Sequence, residues 1–421
     1  MRVLAAIVVP PHLTVSGGAR AGEALSAALA DRCDITVANM MGGDPAIGGH
    51  ATRVAVRTSL PPPLRHPRVP KRYRSLFYRS DIPRLIRRGG YDLVHIHNPM
   101  PALEMARIAR TCRRLDIPYV VSTHGFNEVV NGLKIYAFNP VQRAVWAELV
   151  AAPVCRAVAG AADIFALSPH DRDLIEALGR SGQDVTIVSN GVATPPTANA
   201  ADDRQALAAL GIDAPAPGAP PTFLFLANHT PNKGLPLLLD AFSRLREPFQ
   251  LIVGGEKREG IDYESHVRRS RPGQRIVVTG RLSDADAAAC FRRADAFVFP
   301  TLADTFPLVV LEAMSHGKAV IASAVGGIPY QLEGGCGELV PSGDPEALAQ
   351  AVARLAAEPS RLAAMGEAGR RRARDLFTWN RAADAALGGY ERVLRAAAPR
   401  PSRASPLIAL RTLSSGVARL R

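Results

Sequence analysis

Cysteine is sparse in this 421-residue chain: Cys33, Cys112, Cys155, Cys290 and Cys336 are scattered and odd in number. No CxxC pair suggests a metal site and no spacing suggests a disulfide framework, so a reducing, cytoplasmic setting is expected. Long apolar runs are missing too. The opening "MRVLAAIVVPP" is too short to cross a bilayer and has no small-residue cleavage site before Pro10 and Pro11. It is expected to form a first buried strand, and no transmembrane span is expected elsewhere. No repeat of fixed period occurs, which argues against a solenoid or propeller. The pattern GxGxxG with an acid about twenty residues on is also absent, which argues against a hydride-transferring oxidoreductase.

What is present points to an α/β protein. A chain of 421 residues exceeds what one hydrophobic core usually supports, and 47% apolar content is enough for packed domains. Short β-branched runs alternate with amphipathic helical stretches, the pattern of parallel sheets with crossover helices. Strand candidates are "VLAAIVV", "DITVANM", "YDLVHIH", "PYVVSTH", "DIFALS" and "VTIVSN", then "TFLFLAN", "FQLIVGG", "RIVVTG", "DAFVFP" and "AVIASA". Between the two sets, residues 191–221 are rich in Ala, Pro and Gly and form the expected linker. The resulting division is a Rossmann-like domain over 1–195, a second over 196–378, a last helix over 379–398 and a basic tail over 399–421.

The net charge of +13 is unevenly placed. Residues 53–88 hold eleven Lys or Arg against the single acid Asp81. Tyr73, Leu76, Phe77, Tyr78, Ile82, Leu85 and Ile86 interleave with these charges, a composition suited to an anionic membrane surface, with a solvated basic helix and loop as the alternative. No nucleic-acid-binding motif accompanies the charge, and no nucleic acid is expected as a partner. The second basic piece, 401–421, lacks acids and is either a disordered tail or another membrane contact.

Ligands of doubly wound sheets bind beyond the carboxyl ends of the strands, so the loops there carry the functional signal. In "TVSGGARAGEAL", Gly17 and Gly18 precede a helix; tandem glycines let a backbone approach a ligand, and a helix N-terminus favours an anion. In "ANHTPNKGLPLLL", Lys233 stands at another helix start and suits a phosphate. In "ADTFPLVVLEAM", Asp304 precedes a helix expected from Pro307 to His316, and Glu312 lies inside it. A cap role would explain Asp304. It would not explain Glu312, a carboxylate in an apolar run that is costly to bury without hydrogen-bond partners such as the vicinal hydroxyls of a ribose or sugar. The amides of Thr305, Phe306 and Leu308 are expected to face the cleft. His95 and His97 share one side of a strand and suggest either the start of a metal site or a hydrogen-bonded pair. Asn190 and Gly191 in "VSNGV" are expected to supply left-handed turn geometry.

Together these loops resemble the retaining glycosyltransferases of family 4, whose GT-B architecture sets two Rossmann-like domains face to face. The resemblance runs from about Arg2 to Leu394 and rests on "SGGAR", "YDLVHIH", "STHGF", "FALS", "VSNGV", the Lys-Gly pair, "VTG", "DTFPLVVLEAM" and "HGKAVIASAVGGIP". It implies that Glu312 holds the nucleotide ribose, Asp304 contacts the donor sugar, and His124 sits near the transferred sugar. Lys233, Gly17 and Gly18 would meet the diphosphate. Three departures stand out. Asp304 replaces a glutamate, Pro307 replaces a glycine, and Asn228 occupies the place where an arginine usually clasps the diphosphate.

The resemblance implies sugar transfer from a nucleoside diphosphate sugar to a glycan or lipid-linked acceptor, with no cofactor and no metal. It also implies a final helix that packs back on the first domain. An inactive binding protein of the same architecture and a sugar-nucleotide epimerase are the alternatives.

Overall fold

The computed structural model describes residues 1–13, 16–42, 50–66, 68–69, 71–136, 138–183, 185–257 and 261–397. The basic segment 401–421 lies outside the described residues. Two parallel sheets organise the chain. The first has seven strands in the spatial order Thr52–Val54, Asp34–Asn39, Arg2–Ile7, Leu93–His97, Tyr119–Ser122, Asp163–Ala166, Thr186–Ile187. The second has six, in the order Gln274–Gly280, Phe249–Gly254, Thr222–Leu226, Ala296–Phe299, Ala319–Ser323, Gly337–Val340. Both are doubly wound α/β sheets, the fold class that the alternating periodicity predicts.

In each sheet the strand order reverses beside the earliest strand, between Arg2–Ile7 and Leu93–His97 and between Thr222–Leu226 and Ala296–Phe299. Loops that leave in opposite directions open a crevice there, at the carboxyl ends. All eleven expected strands exist, most of them shorter than expected; "RIVVTG" is one residue longer, as Gln274–Gly280, and "VTIVSN" contributes only Thr186–Ile187. The edge strands Thr52–Val54 and Gly337–Val340 were not expected, because neither "TRV" nor "GELV" carries an apolar run that marks a buried strand.

The first sheet is covered on both faces. One face packs with the helices Ile82–Gly89, Ala102–Arg114 and Ala152–Ala159. The other packs with Gly17–Leu29 and with the closing helix Trp379–Ala397, through Ala383, Ala386, Tyr390 and Val393. The second domain has its own core, built around Phe223, Phe225, Leu251, Phe297 and Val320.

The basic segment differs from the expectation in one respect. Ile82 and Ile86 are buried, and Leu76, Tyr78 and Leu85 pack against the first-domain core. Apolar side chains that close a core are not available to a bilayer, and the exposed basic residues among those described are Arg53, Arg57, Arg65, Arg68, Arg79, Arg84, Arg87 and Arg88. Among the described residues, no helix is long and apolar enough to cross a membrane.

A second correction concerns the crossover between the domains. Neither Asn190 nor Gly191 is left-handed. Asn190 is buried and its Nδ2 donates to the Phe306 carbonyl at 3.1 Å. Gly191 is needed for close approach, since a Cβ there would stand 2.2 Å from the Trp379 nitrogen.

Candidate active site

On the second domain, two loops at the carboxyl ends of neighbouring strands are locked together. After Thr222–Leu226 the chain makes a short turn, Pro231–Lys233, and enters the helix Leu235–Arg244 through Gly234 at φ +76°. A Cβ on Gly234 would lie 1.7 Å from the Pro300 carbonyl oxygen, so only glycine lets this loop pass so close to the next one. The Leu302 amide and the Thr301 hydroxyl both donate to the Asn232 carbonyl, at 2.8 and 3.1 Å. These ties bring Lys233 Nζ to 2.6 Å from Asp304 Oδ2, with side-chain exposures of 27% and 16%. The Thr301 hydroxyl oxygen also lies 3.3 Å from the same carboxylate oxygen, so its one proton can serve either acceptor. Asn228 lies half-buried on the same loop; its carbonyl accepts from the Thr230 amide at 2.8 Å.

Glu312 occupies the helix Leu308–Ser315, with Pro307 at its N-cap and Gly317 at φ +68° beyond its end. The side chain is half-buried and, among the described residues, makes no hydrogen bond or ion pair. Burial raises its pKa, the Arg20 guanidinium opposes that rise and Asp284 adds to it. A half-buried carboxylate without a donor among the described residues is ready to accept a ligand's hydroxyls.

The first domain supplies the opposite wall. Ser16 caps the helix Gly17–Leu29, its hydroxyl accepting from the Ala19 amide at 3.3 Å. The Gly17 and Gly18 amides lie ahead of the first intrahelical bond and are open to a ligand by position. A Cβ on Gly17 would meet nothing within 4 Å, whereas one on Gly18 would stand 2.1 Å from Asn98 Oδ1. Asn98 follows the strand Leu93–His97 in left-handed geometry, at φ 66°.

Three histidines line this wall. His95 is buried between Tyr390 Oη at its Nδ1 and Ser122 Oγ at its Nε2, both at 2.7 Å. The His95 and His97 rings are 3.8 Å apart, and His97 lies 6.2 Å from His124, centroid to centroid. Burial lowers the pKa of His95 to about 3 and that of His124 to about 4, and moves His97 well below the usual range. All three are therefore neutral at pH 7. His95 is part of a hydrogen-bonded strand-end group, and among the described residues no cluster of three or more metal-ligating side chains occurs.

His124 is followed by Gly125 at φ +75° and the helix Phe126–Ile135. The Thr123 hydroxyl next to it donates to the buried Asp171, which also accepts from the Leu167 amide at 2.8 Å and the Ser168 hydroxyl at 3.0 Å. This anchor fixes the loop that carries His124. Across the cleft, Asn127 Nδ2 donates to the Asp304 carbonyl at 2.9 Å and the Asn127 amide to Thr305 Oγ1 at 3.4 Å. Thr305 therefore joins the two domains. Phe306 turns its ring into the second-domain core beside Phe377, 5.7 Å away, and offers the cleft side only backbone. Leu308 is half-buried at the head of its helix.

The structure thus joins Lys233 with Asp304, places Glu312 opposite Arg20, and links the His124 loop to Asp304 through Asn127. Arg20, Asn98, Asn127, Asp171 and Tyr390 were not expected as part of this region. Only Asn98 carried a signal, the turn-forming Asn-Pro step after a strand. The others depend on partners far away in the sequence.

Two family profiles match the chain: Glycosyltransferase Family 4 over residues 15–194 and Glycosyl transferases group 1 over residues 220–358, about three quarters of its length together. A D-inositol 3-phosphate glycosyltransferase of Kineococcus radiotolerans is 29% identical over 337 residues, 72% of each chain. An alpha-maltose-1-phosphate synthase of Mycobacterium tuberculosis is 29% identical over 295 residues, 66% of this chain and 74% of the other. Among solved structures, a sucrose-phosphate synthase of Thermosynechococcus elongatus superposes with a TM-score of 0.71 at 22% identity, over 94% of this chain and all of the other. Anabaena HepE in complex with UDP-glucose superposes with a TM-score of 0.67 at 16% identity, over 93% and 100%. Two doubly wound domains around one cleft, with these structural likenesses, make the fold GT-B.

Proposed function

The chain is a glycosyltransferase of the family 4 type, and from that premise we propose that it moves a hexose from a nucleoside diphosphate sugar to an acceptor hydroxyl with retention at the anomeric carbon. The observation that carries this reading is the Lys233–Asp304 pair, formed by two strand-end loops at the mouth of the second sheet and part-exposed to the cleft. A cation beside a helix start suits the donor diphosphate. The unpartnered Glu312 carboxylate, on the helix that follows Asp304, suits the ribose hydroxyls, and Asp304 suits the sugar between them. His124, neutral and held by the Thr123–Asp171 anchor, suits a sugar hydroxyl as a neutral hydrogen-bonding group rather than as a cation.

In the step itself, the bond from the anomeric carbon to the diphosphate oxygen breaks and the acceptor oxygen bonds to that carbon on the same face. The acceptor's proton passes to the departing diphosphate oxygen. Lys233 and the first-turn amides of Gly17 and Gly18 stabilise the charge that grows there, a preorganised electrostatic contribution. The Thr305, Phe306 and Leu308 backbone completes the donor side, and Asn228 contributes a neutral amide. UDP-glucose, bound by HepE, is one donor to try first. The acceptor in this reading is a glycan or a lipid-linked glycan of the cell envelope, met at the cytoplasmic side, with Arg79, Arg84, Arg87 and Arg88 facing an anionic membrane surface. Those arginines supply charge without an apolar wedge.

Thermal-shift titration with UDP-, GDP- and ADP-sugars tests the reading. One nucleotide class should raise Tm in the wild type, and Glu312→Ala should abolish the shift. A Glu312→Ala variant that responds like wild type would remove the ribose assignment, and conversion of the donor to its epimer without acceptor would favour an epimerase.

A further inference from the structure

The second domain is short of positive charge where a diphosphate would rest. Lys233 is already matched by Asp304 at 2.6 Å, and Asn228 on the same loop is uncharged. A doubly charged diphosphate held by this wall alone would face a nearly neutral pair and one amide. The deficit points to the facing wall, where Arg20 projects from the first turn of Gly17–Leu29.

Among the described residues the one ion-pair partner of Arg20 is Asp284, on the opposite domain, at 3.8 Å. That distance exceeds a hydrogen bond. The side chains are 42% and 80% exposed, so water screens the contact and holds Arg20 there only weakly. The guanidinium therefore reaches over the cleft without being bound to its far side. Glu312, the carboxylate with no donor among the described residues, feels Arg20 more than any other charge. A second, independent feature lies at the same helix start. Asn98 packs against Gly18, is only 8% exposed, and its Nδ2 has no hydrogen-bond partner among the described residues. A buried amide donor without an acceptor is rare in a finished fold and marks a place where a ligand's acceptor belongs.

We propose that Arg20, with the Gly17 and Gly18 amides and Asn98 Nδ2, forms an anion cradle on the first domain that clasps the diphosphate of the bound nucleotide. The cradle supplies from across the cleft the charge that Asn228 withholds from the second-domain loop. Arg20 suits this task better than lysine would, because its planar fork can address two phosphate oxygens together. The proposal rests on the nucleoside diphosphate sugar reading above.

The test is calorimetric titration of UDP, GDP and ADP and of uridine, guanosine and adenosine into the wild type, Arg20→Ala, Arg20→Gln and the double variant Arg20→Ala/Asn228→Arg. For the nucleotide that the wild type binds, both single variants should weaken the diphosphate tenfold or more and leave the matching nucleoside within twofold. The double variant should recover most of that loss, a rescue that a merely structural arginine would not show. Diphosphate affinity within twofold of wild type in the single variants overturns the cradle and leaves the donor reading standing. Equal losses of diphosphate and nucleoside, or no recovery in the double variant, overturn it too. A wild type that binds none of the three diphosphates overturns the donor reading and the cradle with it.

Discussion

Lys233→Ala removes the cation of the 2.6 Å pair and leaves Asp304 with the Thr301 hydroxyl at 3.3 Å. Its effects on stability and on catalysis should separate. The pair is part-exposed, so its loss should cost the fold only about 1 kcal/mol. If Lys233 instead stabilises charge on the departing diphosphate, its loss resembles removal of an oxyanion-type contact, about 3 to 4 kcal/mol, or a rate loss on the order of a hundredfold to a thousandfold. Most of that loss should fall on kcat, because the diphosphate charge peaks as the glycosidic bond breaks.

The resting pair adds a second arm to the experiment. A phosphate that reaches Lys233 must compete with Asp304, so Asp304→Asn should tighten nucleoside diphosphate binding while it lowers turnover. Asn228→Arg should partly rescue Lys233→Ala by restoring a cation to the same loop. The assay is steady-state release of nucleoside diphosphate, with Tm measured on each variant. A Lys233→Ala protein that keeps its Tm and more than about a third of wild-type turnover would refute the placement of the phosphates, since such a loss is under about 1 kcal/mol. Weaker diphosphate binding by Asp304→Asn would refute the competition.

Gly18→Ala should lower Tm and activity together, because its Cβ would stand 2.1 Å from Asn98 Oδ1, whereas Gly17→Ala, with nothing within 4 Å, should leave Tm unchanged; equal Tm values for the two would contradict the close packing. Stability should fall as pH drops from 6.5 toward 4, because the unfolded chain binds protons that buried His124, with its pKa near 4, refuses; the lost contribution is about 3 kcal/mol for that group. This contribution is fully present above pH 6.5, and His124→Asn should make the Tm profile less steep below that pH, with the rest of the slope left to His95 and His97 and an identical profile counting against a buried neutral ring. Exposed arginines near anionic lipid contribute about 1 kcal/mol each and are screened over roughly 10 Å at 0.1 M salt, so the protein should co-sediment with anionic but not neutral vesicles and be released by salt. Equal binding to both, or none to either, would remove the membrane surface.

Long buried strands were legible because parallel strands covered on both faces need near-continuous apolar runs, as in "VLAAIVV" and "TFLFLAN". The strand-end loops were legible because glycine and proline mark where a strand yields to a helix. Pairing was not. Lys233 and Asp304 are 71 positions apart, and His95 and Tyr390 are 295 apart, so no local pattern couples them. Asn190 looked like a turn residue because Asn-Gly steps commonly adopt left-handed geometry. Its real role is set by the Phe306 carbonyl, a partner from the other domain. The packing of the basic segment was hidden for a related reason. Its isoleucines and leucines interleave with arginines in the same way whether they meet lipid or a neighbouring helix, and only packing decides between the two.

The same long-range contacts explain how one cleft can draw its charges from two domains. The chain crosses between the sheets twice, and the crossings touch: the Val192 amide donates to the Phe377 carbonyl at 2.8 Å, and Gly191 lies against Trp379. Beyond that point the closing helix returns to the first domain, where Tyr390 bonds His95 and a Cβ on Gly389 would stand 2.6 Å from the Phe165 ring. The two connections are therefore fastened together rather than free to slide independently. Asn127 and Asn190 add further contacts to the Asp304–Phe306 loop. With these ties holding one side of the cleft, relative movement of the domains would change most the weak, screened contact between Arg20 and Asp284. Glu312 and Asp304 travel with the second domain, while His124, Asn98 and Arg20 travel with the first. A ligand that touches both sets is thus bound best in one domain arrangement.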